Sequence, residues 1–466
     1  MKFNSGPTFY SCRLPAFMFM LVSLISFEVF ANPHEYMLAN GLKIVVKEDH
    51  RSPVVISQIW YKVGSIDELN GTTGVAHVLE HMMFKGTKNI SSGEFSKKIA
   101  AVGGRDNAFT SRDYTGYFQQ LHKSKLALAM KLEADRMRNL ILTEEEFAKE
   151  IKVVMEERRL RTDDQPHALV YEKMMSVAYQ SHPYRRPIIG WMNDLENMTV
   201  GDAQEWYDRW YAPNNAVLVL VGDVDPKEVY SLAQKYYGEI KSRPIASLAV
   251  RKPQTEVTQA GIKRLQIKAP AQMPYLVMGY HAPVLHDANA DWEPYALQML
   301  VGVLDGNGSA RLNKELVRNQ QIASSINADY DSTGRGPGMF FLSGTPSEGR
   351  SAAELESALR IEIERLIDAG VTEKELRRVR AQVVSSHVFQ LDSMFYQAMQ
   401  IGQLESVGLS YRDLDTIIKK LQAVTAEQVR EVAIKYLIDD SLTVAVLDPQ
   451  PLEQRSVIPS SIRLRH

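Results

Sequence analysis

A long internal repeat constrains this chain more than any other feature. Met198-Thr199-Val200 opens a helical pattern that runs to Trp210-Tyr211, and Pro213-Asn214-Asn215 leads from it into the apolar run Ala216-Val217-Leu218-Val219-Leu220-Val221. Val424-Thr425-Ala426 opens a second such pattern ending at Tyr436-Leu437, followed by Asp439-Asp440-Ser441 and Leu442-Thr443-Val444-Ala445-Val446-Leu447. The copies align without a gap at an offset of 226 residues, Thr199 falling on Thr425. That is far longer than a solenoid period and is the size of an ordinary domain. The repeat predicts two homologous halves; chance recurrence of a helix–turn–strand unit is the plainer alternative.

The elements inside the halves are mixed. Leu42–Val46 after the turn pair Asn40-Gly41, Val54–Tyr61, Tyr117–Leu121 and Ala216–Val221 read as strands. Val75–Phe84 reads as a helix capped by Thr72-Thr73 and stopped by Gly86, and Leu126–Asn139, Glu144–Leu160 and Val200–Tyr211 carry helical periodicity. Strands and helices in blocks predict an α+β fold. The polar stretch Ser242–Ile262, with two prolines, separates the halves. The expected boundaries are residues 32–245 for the first domain, 246–262 for the linker and 263–466 for the second domain.

The N-terminus reads as a signal peptide spanning residues 1–31. Lys2 and Arg13 precede the apolar stretch Leu14–Phe30, and Val29-Phe30-Ala31 fits a cleavage site after Ala31. An uncleaved anchor is the alternative. Export, with the periplasm as destination, is the expectation. The only cysteine, Cys12, lies in that segment, so the mature chain would hold no thiol. Any metal must then use His, Asp or Glu. A net charge of -2 gives the whole chain no pull toward nucleic acid or an anionic membrane. The local basic run Arg158-Arg159-Leu160-Arg161 reads as a solvated helix end.

His77-Val78-Leu79-Glu80-His81 carries the chemistry. Residues four apart on a helix share one face, so both imidazoles can meet one ion. Glu80 projects beside that face, where a carboxylate can take the proton of a metal-bound water attacking a peptide carbonyl. Catalytic zinc normally has three protein ligands, so one is missing. The segment Glu150–Glu157 offers it: Glu150, Val153, Val154 and Glu157 fall on one stripe, read as inward-facing from its valines, while Glu156 is turned about 100° away from Glu157. Glu157 is the expected third ligand. Glu150 is expected to orient a histidine from behind. Ion pairing of these carboxylates with Arg158 and Arg159 is the bland alternative.

These residues resemble the pitrilysin or insulinase family (peptidase family M16), in which an inverted zincin motif is followed, as here 76 residues after His81, by a zinc-binding glutamate. Gly103-Gly104 with Asn107-Ala108-Phe109-Thr110, His182-Pro183-Tyr184 with Ile189-Gly190, and Tyr211-Ala212-Pro213-Asn214-Asn215 are similar to the same family. The resemblance implies two α+β halves per chain and a clam-shell chamber closed with a second chain, as a homodimer or with a related chain lacking the zinc motif. It implies one zinc per chain and hydrolysis of unstructured peptides. It places Asn107, Ala108 and Phe109 on an edge strand that binds substrate backbone and gives Arg318 a substrate contact. Seven residues past Arg318 the family often has tyrosine and this chain has Ser325. The expected function is a zinc-dependent endopeptidase or oligopeptidase. The alternative is a peptide-binding partner subunit with little activity of its own.

Overall fold

Long β-branched runs build two mixed sheets among residues 33–248, 251–252 and 254–452, which the computed structural model describes. The segment read as a signal peptide lies outside the described residues. The first sheet holds β1 (His34–Met37), β2 (Lys43–Glu48), β3 (Val54–Tyr61), β4 (Arg105–Thr110), β5 (Thr115–His122) and β6 (Ala216–Gly222), in the order β1-β2-β6-β3-β5-β4. The second holds β7 (Lys263–Pro270), β8 (Tyr275–Ala282), β9 (Ala323–Tyr330), β10 (Gly338–Pro346) and β11 (Leu442–Gln450), in the order β7-β11-β8-β10-β9. Apart from β1, the two orders are the same. Each sheet has one parallel pair among antiparallel neighbours: Lys43 faces Val217 across β2 and β6, and Lys263 faces Thr443 across β7 and β11. Strand β6 is buried along its whole length, as an interior strand covered on both faces must be.

The first half supplies α1 (Val75–Met82), α2 (Glu94–Ala101), α3 (Leu126–Asn139), α4 (Glu144–Arg158), α5 (Pro166–Ala178), α6 (Met192–Asn197), α7 (Val200–Trp210) and α8 (Pro226–Tyr237). The second half adds α9 (Glu293–Asp305), α10 (Ala352–Ala369), α11 (Glu373–Gln390), α12 (Met394–Val407), α13 (Leu414–Ala423) and α14 (Ala426–Tyr436). The repeat appears as matching structure. Thr199 caps α7 in a reciprocal box with Asp202, and Thr425 caps α14 in the same way with Gln428. None of the described helices is long and apolar enough to cross a membrane.

The halves exchange one helix each. Helix α12 lies on the outer face of the first sheet, burying Ala398 and Ile401 against Val45, Trp60 and Val219. Gly402 is obligatory there, because a Cβ would stand 2.0 Å from Trp60 Cε2. In return, Val170, Met174 and Ala178 of α5 pack on Val277, Ala445 and Leu447 of the second sheet.

Two local expectations are corrected. Helix α1 ends at Met82, short of Phe84, and its N-cap is Gly74 at φ 89°, not the Thr72-Thr73 pair. The Thr73 hydroxyl is turned elsewhere, donating to Asp194 and accepting the Trp191 N–H at 3.0 Å. The Arg158–Arg161 run is a solvated helix end at Arg159, Leu160 and Arg161, which are exposed, but not at Arg158. It passes into a π-helical turn over Arg159–Asp163, and Arg158 is buried with two hydrogen bonds to Glu172 at 2.7 and 3.0 Å.

Candidate metal centre

Helix α1 buries Val75, Ala76, Val78, Leu79 and Met82 in the first-half core. That leaves His77, Glu80 and His81 half-buried along the opposite, cleft-facing side. Its N-terminus is anchored from below: the Glu68 carboxylate accepts the N–H groups of Gly74 and Ala76 at 2.8 and 3.0 Å. Asp194 accepts the Thr73 N–H and hydroxyl at 3.2 and 2.6 Å. These bonds satisfy donors that a helix start leaves open.

Helix α4 brings two carboxylates to the histidines. Glu157 Oε2 lies 3.4 Å from His81 Nε2 and 3.9 Å from His77 Nε2. Glu150 Oε2 lies 3.1 Å from His81 Nδ1, and its other oxygen is held by Lys85 at 2.5 Å. The expectation that Val153 and Val154 both face inward fails: Val154 is buried, but Val153 is 48% exposed. The two glutamates face α1 because seven residues are close to two full turns. Glu156 points out, its side chain 60% exposed and paired with Arg159 at 3.1 Å.

One donor atom from each of His77, His81 and Glu157 lies within 4.8 Å of the others. The set suits a small, borderline-soft cation. Zinc bonds of about 2.0–2.1 Å in a tetrahedron give donor–donor edges of about 3.3–3.4 Å, and the histidine–glutamate separations are near that and longer than direct hydrogen bonds. Burial, reinforced by His81 and Arg161, pulls His77 down to about 3, so its ring is neutral and a lone pair is free for a metal. Burial pushes the Glu80 carboxyl above the ordinary range, opposed by the hydrogen bond it accepts from Thr110 Oγ1.

The cleft is a cavity of about 640 Å³ shared by these groups with Asn107, Ala108 and Phe109. Those three residues lie on β4, the edge strand of the first sheet. The Ala108 N–H donates to its neighbour Asn107 Oδ1 at 2.9 Å. The Phe109 ring packs 4.9 Å from Trp60, toward the α12 face. Arg318 is not brought to this cleft: it is exposed on the turn Asn313–Asn319 and does not line the cavity. Ser325 is exposed on β9, the edge strand of the second sheet.

Sequence reasoning named Thr110 without a role and missed Glu68, Asp194 and Lys85. Lys85 sits four residues past His81, on the face that meets Glu150, and that spacing was readable. Glu68 and Asp194 carry no such signal, since an acid becomes an anchor only once the fold sets it under a helix start.

Comparison with known proteins gives the family and the fold. A family model described as insulinase (peptidase family M16) matches residues 43–191, and one described as the peptidase M16 inactive domain matches residues 197–383. The zinc protease PqqE of Helicobacter pylori is 31% identical over 361 residues, covering 76% of this chain and 79% of the relative. The crystal structure of a protease from Helicobacter pylori superimposes with a TM-score of 0.84 at 28% identity, over 90% of this chain and 100% of that one. The periplasmic protease PqqL from Escherichia coli shares the fold with a TM-score of 0.76 at 19% identity, over 90% of this chain and 48% of that one.

Proposed function

The chain belongs to the M16 (insulinase) peptidase family, and from that premise we propose that it is a zinc-dependent endopeptidase or oligopeptidase acting on unstructured peptides. The observation that carries this is the meeting of His77, His81 and Glu157 within 4.8 Å, with Glu80 on the same helix face. His77 Nε2, His81 Nε2 and Glu157 Oε2 would hold the ion. A zinc ion there would supply Lewis acidity, polarising a peptide carbonyl and making water a better nucleophile near neutral pH.

The chain's own residues do the rest. Glu80 takes a proton from the attacking water and returns it to the leaving amine. Thr110 holds the Glu80 carboxylate in place through its hydroxyl. Glu150 fixes the His81 ring by accepting its Nδ1–H. An extended peptide adds to the free edge of β4, where Asn107, Ala108 and Phe109 offer backbone groups. We place the catalytic half at residues 32–245, with residues 263–466 as the half without a metal site. The chamber is closed by a second copy or a related chain, which sedimentation of the active species would test, and the chain is exported.

The deciding experiment is Glu80→Gln, with metal analysis and kinetics on one preparation. Zinc content should stay near wild type while peptide turnover falls by roughly 10²–10⁴-fold, the scale of general acid–base catalysis. Substantial turnover with normal zinc would overturn the mechanism. If the wild-type chain, zinc-loaded, binds peptides but cuts none, the partner-subunit reading replaces this one.

A further inference from the structure

Three arginines lining the metal cleft make no direct ion pair among the described residues; Glu68 and Asp194 act on Arg186, and Asp113 on Arg112, only from farther away. Arg112 follows the edge strand β4 by two residues. Its Nη2 lies 3.4 Å from the Tyr171 hydroxyl, its guanidinium sits 5.6 Å from the centre of the Tyr184 ring, and its Nε is buried with no hydrogen-bond partner. Arg185 donates to the Gln180 carbonyl at 3.0 Å. Arg186 donates to Asn70 Oδ1 and to the Glu68 carbonyl at 2.9 and 2.5 Å. All three line the cavity that holds His77 and Glu80.

Of the acids on that wall, Glu157 is paired with Arg161 at 2.7 Å and Glu172 with Arg158, and Glu80 accepts only from the Thr110 hydroxyl. Asp113, beside Arg112 in sequence, accepts the Tyr184 hydroxyl at 2.6 Å. A half-buried guanidinium among tyrosine rings has lost hydration without gaining an ion pair. Three of them in one cleft focus a positive potential there. It is a local property, because the chain as a whole carries a net charge of -2.

We infer that the cleft selects peptides bearing carboxylates close to the scissile bond, from acidic side chains or a free C-terminus, and that Arg112 and Arg185 with Arg186 are the residues that read them. Arg112 is placed to do so. It stands two residues beyond Thr110, the partner of Glu80. Arg112 itself lies in the turn Ser111–Tyr114 that follows the strand, and its side chain lines the same cavity as Glu80, so a peptide paired with β4 runs toward it. This inference deepens the peptidase reading, and binding is the measurement that separates the two.

The test uses the full zinc-loaded chain carrying Glu80→Gln and labelled unstructured peptides that differ only by Glu, Gln or Lys at successive positions, each with a free or amidated C-terminus. Fluorescence anisotropy should show the Glu peptide binding about tenfold more tightly than the Gln peptide, the order of one charge-assisted hydrogen bond. The Lys peptide should bind more weakly still, and the contrast should shrink in high salt. Dependence on side-chain position or on amidation tells which carboxylate is read. Arg112→Gln should remove much of the preference. Arg185→Gln with Arg186→Gln should do so separately, which keeps the test open if the Arg112 variant does not fold. Equal binding of all three peptides would overturn the inference, as would a preference that survives both sets of substitutions. Cleavage of neutral peptides by the unsubstituted chain, read alongside, tells the two failures apart: cutting without charge preference removes only this inference, and charge-selective binding without cutting removes only the peptidase.

Discussion

Thr110, the last residue of the edge strand β4, donates its hydroxyl to the carboxylate of Glu80 on α1 at 2.5 Å. The strand that would hold the substrate and the helix that would hold the metal are thereby joined through the proposed base. Thr110→Val keeps the shape and removes the donor. Zinc content should be unchanged while kcat/KM falls about tenfold, the value of a hydrogen bond to a charged group. An unchanged kcat/KM would mean that the helix alone positions Glu80.

The ligand set can be separated from its surroundings by titrating variants against a chelator. Glu157→Gln removes a direct donor, and Glu150→Gln removes only the acceptor behind His81. Loss of such an outer partner costs roughly 10–100-fold in affinity. The expected order is therefore a loss of that size for Glu150→Gln, a larger one for Glu157→Gln and almost none for Glu156→Gln, whose side chain pairs with Arg159 outside. Equal effects of the Glu156 and Glu157 substitutions would move the ligand.

Glu68 offers a test of the scaffold. Its two oxygens accept separate N–H groups at the start of α1. Glu68→Gln leaves one of those donors facing an amide NH₂. A buried unsatisfied group costs about 1–3 kcal/mol, so the denaturation midpoint should fall by that equivalent and zinc should bind more weakly. Wild-type stability would mean that the helix start finds another acceptor.

Much of this site was legible in the sequence because its signals are local. The i, i+4 spacing of His77 and His81 fixes a shared face whatever the rest of the chain does. Glu150 and Glu157 were read on the helix that does face α1, although one premise, an inward Val153, was wrong: only Val154 is buried, and the pairing with α1 turns the two glutamates to the histidines. The repeat was legible because the capping threonines Thr199 and Thr425 are local too. What the sequence could not show is non-local. The exchange of α5 and α12 between the sheets depends on fits such as Gly402 against Trp60. The burial of Arg158 depends on Glu172, fourteen residues on and in another helix.

His182 makes stability depend on pH in a defined direction. Its ring is 1% exposed, and its Nδ1 accepts the Tyr184 N–H at 3.1 Å, so the proton sits on Nε2, which is buried with no partner. Gly336 of the second half leaves the room for it, since a Cβ there would stand 2.3 Å from Cε1. Burial pulls the imidazole down to about 4, against the attraction of Glu256 and with help from Arg186, Arg335 and Arg112. In the unfolded chain the value is about 6.5. Below 6.5 the unfolded state takes up a proton that the folded state refuses, so stability present above that pH is lost as pH falls toward 4, at up to about 1.4 kcal/mol per pH unit. His182→Asn keeps an acceptor for the Tyr184 N–H and cannot titrate. The difference in denaturation free energy between wild type and this variant, measured at pH 7 and pH 5, cancels the other histidines and the carboxylates. It should shrink or reverse at pH 5, and a constant difference would show that His182 is not what the acid attacks.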